Sequence, residues 1–244
     1  MNETDAMNDF VNDVVPKTSL QVVRRSFVLA AVVCRGSIEK GVNDPDALAL
    51  HESIIDWLTR LNLWDEVEPS EKAMLRCPLG QLQKNDVIQA TWYVEGLAIL
   101  AWALKLFEFP QHDEQVDSYV VTDAVWFLSD TAENILAHAE LRSLAELEAC
   151  YELLYAIHSR LRDYRRNRIA TDFSRWVEEE WLTSLGVNAS TLIAGKDIAV
   201  DNKPVIGVAE DRLQELLSIT LERHRAIIWL VENCVGYSDT TVDT

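Results

Sequence analysis

Five histidines, four cysteines and many carboxylates are the residues of this chain suited to metal binding or acid–base work. His51, His112, His138, His158 and His224 form no HExxH pair, so the helical two-histidine zinc site is not written here. His112-Asp113 places two potential metal ligands side by side. They follow Pro110 in a polar stretch with no second ligand motif nearby, and read as solvated loop. Cys34, Cys77, Cys150 and Cys234 lie far apart, each in or near an apolar run, the pattern of buried reduced thiols. The sequence contains no GxSxG elbow, glycine-rich phosphate loop or dinucleotide fingerprint. No metal or cofactor is expected, and no motif supports an enzyme.

Three polar features stand out instead. Glu95 interrupts an apolar stretch, and a carboxylate there must be paired, hydrogen-bonded or protonated. Glu222-Arg223-His224-Arg225 abuts the apolar run Ala226-Ile227-Ile228-Trp229-Leu230. Arg223 or Arg225 is the expected counter-ion of Glu95, and His224 falls on the apolar stripe of its helix. Glu95, Glu222, Arg223, His224 and Arg225 therefore form a candidate buried polar cluster. Arg160, Arg162, Arg165, Arg166 and Arg168 gather at a helix C-terminus, where the helix dipole favours cations. They read either as partners of Glu178, Glu179 and Glu180 or as a docking patch for phosphate or an acidic partner.

The elements that must position these residues are mostly helices. Ser19 can start one that runs to about Lys40, with Gly41 as its stop. Asp44 caps a second with Pro45 at its first position, and Pro69 opens a short third. Asn85 to Phe107 is the hydrophobic centre, apolar around nearly its whole circumference, and must be surrounded by other elements. A helix holding Val120 and Val121 follows, then a short one beginning at Ser129 or Thr131. Ser143 and Glu146 have capping-box spacing for a long helix to about Asn167. Asp172 starts another that carries Trp176 and Trp181, stopped by Gly186. Asp197 to Ile206 reads as a small surface hairpin, with Pro204 confining it to an edge. A final helix runs from about Ala209 to Asn233. The expected fold is mainly α, a single-domain multi-helix bundle around residues 85–107 with a hairpin near 197–206. Residues 1–15 are expected to be a flexible acidic N-terminus, 16–236 the domain and 237–244 a polar tail.

Twenty-two basic and 40 acidic residues give a net charge of −18. That balance repels nucleic acid and anionic lipid and favours basic partners. Eight glycines and six prolines in 244 residues disfavour a turn-rich β fold. Arg24-Arg25 before an apolar stretch looks like a twin-arginine export signal, but that stretch ends at Arg35 without a cleavage site. Val87 to Leu104 is long enough for a bilayer, yet Glu95 sits at its centre, so no membrane association is expected.

The chain resembles a bacterial family catalogued as domain of unknown function 4272. The similar pieces include Trp57-Leu58, Leu63-Trp64-Asp65-Glu66, Trp92 with Glu95, and Leu100-Ala101-Trp102-Ala103-Leu104. The Arg142 to Glu146 helix start, Lys203-Pro204, Glu222-Arg223-His224-Arg225-Ala226 with Trp229-Leu230, and Asp243-Thr244 also match. Where the family favours Trp after the histidine of the mid-chain helix, this sequence has His158-Ser159. The resemblance implies an all-helical fold and carries no activity. The expectation is a cytoplasmic, non-enzymatic binding protein, similar in profile to immunity proteins, whose acidic surface neutralises a basic protein partner. The alternative is an enzyme or small-ligand binder with a helical pocket around Glu95 and the Glu222–Arg225 run.

Overall fold

A helix that is apolar on every side needs neighbours on every side, and α4 (Lys84–Ala103) has them along its second half, whereas Lys84, Asn85, Ile88 and Gln89 are exposed. In the computed structural model, which describes residues 16–232, 234 and 236–242, every α4 residue from Tyr93 to Ala103 is buried. Helix α1 (Ser19–Ser37) packs along one side of α4 and α10 (Glu210–Val231) along another. Helix α7 (Leu144–Asn167) lies against α10 and carries α8 (Glu179–Leu185) on its far side. The protein is thus a mainly helical bundle with α4 at its centre. The expected acidic segment 1–15 lies outside the described residues, as do Asp243 and Thr244.

Local signals set most of the helix ends. Asp44 caps α2 (Pro45–Arg60) and Asp117 caps α5 (Ser118–Ala124). Glu68 precedes Pro69 at the start of α3 (Pro69–Arg76). Ser143 and Glu146 form the expected capping box of α7, and α6 spans Ala132–His138 after Thr131. Helix α1 starts from a Thr18–Gln21 capping box and stops at Ser37, before Gly41. It is also more enclosed than an ordinary amphipathic helix, because Arg25 to Val33 are all buried. Its twin arginines are structural. Arg24 pairs with Glu66 at 2.9 Å, and Arg25 is buried against Glu71. Among the described residues no helix is long and apolar enough to cross a membrane.

The helix expected from Asp172 breaks in two: a 3-10 turn at Phe173–Arg175, then α8. A short α9 (Ala189–Leu192) leads into a three-stranded antiparallel sheet of order β1-β2-β3. The strands are β1 (Ile193–Ala194), β2 (Asp197–Val200) and β3 (Lys203–Pro204). The expected hairpin is β2–β3, with Ala199 opposite Pro204 and Val200 opposite Lys203. It is a surface feature only in part: β3 is exposed, whereas all of β2 is buried. The polar tail also departs from expectation, since Tyr237 and Thr240 are buried. Glu68 accepts backbone N–H bonds from Tyr237 and Ser238, and the Tyr237 ring lies under Arg25. Gly96 makes this fit possible, because a Cβ there would stand 2.1 Å from the Tyr237 hydroxyl.

Helices α4 and α5 end in the same way. Leu106 N–H reaches Ala101 O, and Phe127 N–H reaches Thr122 O, which places Lys105 and Trp126 in left-handed backbone at φ 61° and 59°. Glycine or asparagine usually occupies that position. A residue with a Cβ costs about 1–2 kcal/mol there. The Trp126 conformation can be tested with two truncations that both remove the indole. Trp126→Gly should be more stable than Trp126→Ala by about 1 kcal/mol, because only glycine adopts this φ freely. Urea midpoints that rank alanine above glycine would contradict the assigned backbone.

Candidate functional site

Glu95 and Arg223 meet at the centre of the bundle, both fully withdrawn from solvent. Of the two arginines expected to be its counter-ion, Arg223 is the one that pairs with Glu95. Its Nε donates to Glu95 Oε2 at 2.8 Å and its Nη2 lies 2.7 Å from the same oxygen. The other oxygen, Oε1, accepts the Val116 N–H at 3.0 Å. Burial raises the Glu95 carboxyl above its usual range, and the adjacent guanidinium and the Val116 N–H oppose it. Burial likewise lowers Arg223, and Glu95 counters it. With N–H donors on both carboxylate oxygens, the contacts are those that stabilise the charged form of the carboxyl.

The remaining donors of Arg223 leave the pair and grip a loop. Nη1 donates to Gln111 O at 2.5 Å and Nη2 to Glu114 O at 2.7 Å. The loop between α4 and α5 then clasps the sheet. His112 Nε2–H donates to Ala199 O at 2.6 Å, Asp113 accepts the Asp201 N–H at 2.9 Å, and Arg212 bridges Asp113 O and Asp201. His112 and Asp113 are therefore largely buried struts and not the solvated loop expected from sequence. Burial lowers the His112 imidazole below its usual range.

The four polar residues of α10 do not form one cluster. Successive helical residues point about 100° apart. Arg223 turns to Glu95, whereas Glu222 and Arg225 pair with each other at 2.6 Å. Glu222 and Arg225 line a groove of about 320 Å³ with Ile88, Trp92 and Leu221. His224 turns to α7, where its Nδ1 lies 3.2 Å from His158 Nδ1 and its ring meets Tyr151 and Tyr155 edge-on. His224 Nε2 is buried without a hydrogen-bond partner among the described residues, so it is less satisfied than a core histidine should be. Burial lowers His158 to about 4 and His224 to about 3; the Arg162 charge adds to the first shift, and repulsion between the two rings when both are protonated adds to the second. Glu95 itself is closed off in its pair with Arg223, and the groove beside the Glu222–Arg225 run is lined by Glu222 and Arg225.

The arginine group at the end of α7 is also divided. Arg160 is fully buried, with Asp197 at 2.7 Å, Asp163 at 2.9 Å and Ile169 O at 2.8 Å. Arg168 caps the helix in left-handed backbone and pairs with Glu210. The acids on these two are thus Asp163, Asp197 and Glu210, in place of Glu178, Glu179 and Glu180. Arg165 and Arg166 are exposed, and Arg162 is half-buried. Five arginines in one short sequence segment therefore do not make one docking patch.

A different surface emerges on the other flank of α7. Glu148 and Glu152 are exposed one turn apart, and Glu178 approaches from the start of α8. Burial raises Glu152 above the usual carboxylate range, and the Glu178 and Glu148 charges push it further up. Tyr151 lies near Glu232 and Glu152, whose charges add to burial in raising it, and Tyr155 is 42% exposed. Charge pattern alone does not flag this patch, because Glu178 joins it only through the packing of α8 on α7.

Two measurements check the buried groups. Glu95→Gln should lower stability by about 3–5 kcal/mol, since it leaves Arg223 charged and unmatched. An unchanged urea midpoint would show that the pair carries no such constraint. The histidine pair sets a pH dependence. Both folded values lie below the ordinary histidine value, so the unfolded chain binds more protons, and stability falls as pH drops from about 6.5 through about 4 for His158 and about 3 for His224. His224→Phe should shrink the loss of urea midpoint between pH 7 and pH 5, and an identical loss in both proteins would assign it to other groups.

A model of the family described as Domain of unknown function (DUF4272) matches residues 6–183. Helix α4 with Glu95, the loop it anchors and the acidic flank of α7 with Glu178 fall inside that span, whereas Arg223 and the rest of α10 lie beyond it. No curated protein and no solved structure matches the chain. Spanning most of the sequence, the match shows that this protein belongs to the family described as Domain of unknown function (DUF4272).

Proposed function

We propose that the protein is a cytoplasmic, non-enzymatic binding protein that takes a basic protein partner on its acidic surface, as immunity proteins do when they neutralise toxins. The observation that carries this reading is the exposure of Glu148, Glu152 and Tyr155 on one face of α7, with Glu178 exposed at the start of α8, which packs against that helix. Like charges held together destabilise the free protein, and a cation laid between them relieves that repulsion. Tyrosine faces beside the carboxylates add a surface suited to lysine and arginine.

The distribution of buried charge supports the same reading. Arg25, Arg35, Arg160 and Arg223 are buried with Glu39, Glu71, Glu95 and Asp197, and of the two further buried acids Glu222 pairs with Arg225 and Asp113 adds its charge to that facing Arg223, so internal charges largely cancel. Among the described residues the acidic excess is thereby carried mainly on the exposed surface, where it steers a basic partner. The four cysteines are unpaired, which suits a reducing compartment.

The test joins a pull-down to a variant. From the native host at low salt, the protein should retain one stoichiometric basic partner, released as ionic strength rises. Glu152→Gln should weaken that association while raising the stability of the free protein by about 0.2–0.5 kcal/mol. Recovery of chaperones alone, or binding that is indifferent to both salt and Glu152→Gln, would sink the proposal.

A further inference from the structure

The exposed face of α7 carries its charges in two blocks of opposite sign. Glu148, Glu152, Tyr155, Ser159, Arg162 and Arg166 follow one another at alternating spacings of four and three residues. That spacing keeps them on one line along the helix, as in the seam of a coiled coil. Helices α10 and α8 cover other sides of α7 and leave Glu148, Glu152, Tyr155 and Arg166 exposed on this one. Among the described residues Glu148, Glu152 and Arg166 have no ion-pair partner, whereas Arg162 is half-buried and engaged within its own chain.

We propose that this face is the contact of a two-fold symmetric dimer, in which α7 of a second copy lies antiparallel across it. A two-fold contact must be self-complementary, because residue i of one copy meets residue j of the other and j meets i. The line on α7 meets that condition about Ile157. Glu148 and Arg166 stand nine residues to either side of it, Glu152 and Arg162 five, and Tyr155 and Ser159 two. Turning a second copy end for end therefore sets each glutamate opposite an arginine, with the two tyrosines near the axis. The paired stretch is about 27 Å long. Apolar residues at the two ends fit the same register. Exposed Leu144 opens the helix and exposed Ile169 follows its last turn, nearly equidistant from Ile157. A parallel pairing would instead set glutamate on glutamate and arginine on arginine.

Charge supplies both the specificity and part of the driving force. Glu148 and Glu152 repel each other one turn apart, and Glu178 adds to the same negative end. Arginines of the second copy offset that repulsion, and the two-fold axis repeats each pairing. Antiparallel helices also place opposite dipole ends side by side. Tyr155, 42% exposed, supplies the large flat side chain favoured at the centre of interfaces. A basic partner is not required for this contact, and one that binds the same acids would have to displace the second copy.

Sedimentation equilibrium of the whole chain, with charge reversals at two exposed positions, tests the dimer. At low salt and about 100 μM protein the unaltered chain should be mainly dimeric, dissociating as ionic strength rises. Glu148→Arg and Arg166→Glu should each weaken dimerisation about tenfold, since each sets like charges opposite one another twice. Mixed in equal amounts, the two variants should form a heterodimer as tight as the original, because each new charge then faces its opposite. That recovery also shows both variants to be folded. A chain that stays monomeric at low salt, a dimer indifferent to both reversals, or a mixture no tighter than either variant alone overturns the antiparallel contact. Each of these outcomes leaves the basic-partner reading standing, since that reading fails only in the pull-down and in the response to Glu152→Gln.

Discussion

A charge removed from water must be matched inside the protein, and that requirement organises this fold. Glu95 stands on the most enclosed helix, and its desolvation is tolerable only with Arg223 beside it. The pair fixes how α4 and α10 lie against each other, because a shift of either helix by one residue would leave two unmatched charges. A guanidinium has five donors and a carboxylate cannot occupy them all. Those left over determine what else is held: the carbonyls of Gln111 and Glu114, and through that loop the buried strand β2. The ion pair contributes less as net stability than as a constraint on arrangement.

The same device recurs at the other buried arginines. Arg25 meets Glu71 and donates to Glu66 O. Arg35 meets Glu39 and donates to Cys77 O and Pro78 O. Arg160 meets Asp197 and donates to Ile169 O. In each case the carboxylate neutralises the charge and the spare donors fasten an irregular segment to a helix. Loops of a mostly helical protein have few backbone partners of their own, so buried arginines supply them. The arrangement explains how a chain with few sheet contacts keeps long connections such as 104–117 in one place.

This internal neutrality shapes the surface. With inner charges largely cancelled, the acidic excess lies outside, and it is not spread evenly. The flank of α7 gathers Glu148, Glu152 and Glu178 beside exposed Tyr155, and the turn before α6 leaves Trp126 exposed. Both places hold unfavourable features, like-charge crowding in one and a strained, exposed indole in the other. A protein selected for stability alone would have relieved them by single substitutions.

Much of the helical framework was legible because its signals are local. The Ser143–Glu146 capping box, Pro45 and Pro69, and the apolar circumference read over residues 85–107 depend on nearest neighbours along the chain. The need of Glu95 for a counter-ion was equally legible, since any carboxylate in such surroundings requires one. What the sequence could not determine are relations between distant elements. Glu222 to Arg225 reads as one polar cluster, yet helical rotation sends its members to different neighbours. Arg160 to Arg168 reads as one patch, yet Asp197 draws Arg160 inside. Tyr237 reads as part of a polar tail, yet the space left by Gly96 buries it. Periodicity and capping arise within one helix, whereas the choice of partner for a side chain depends on which helices are brought together, and only the tertiary structure decided that.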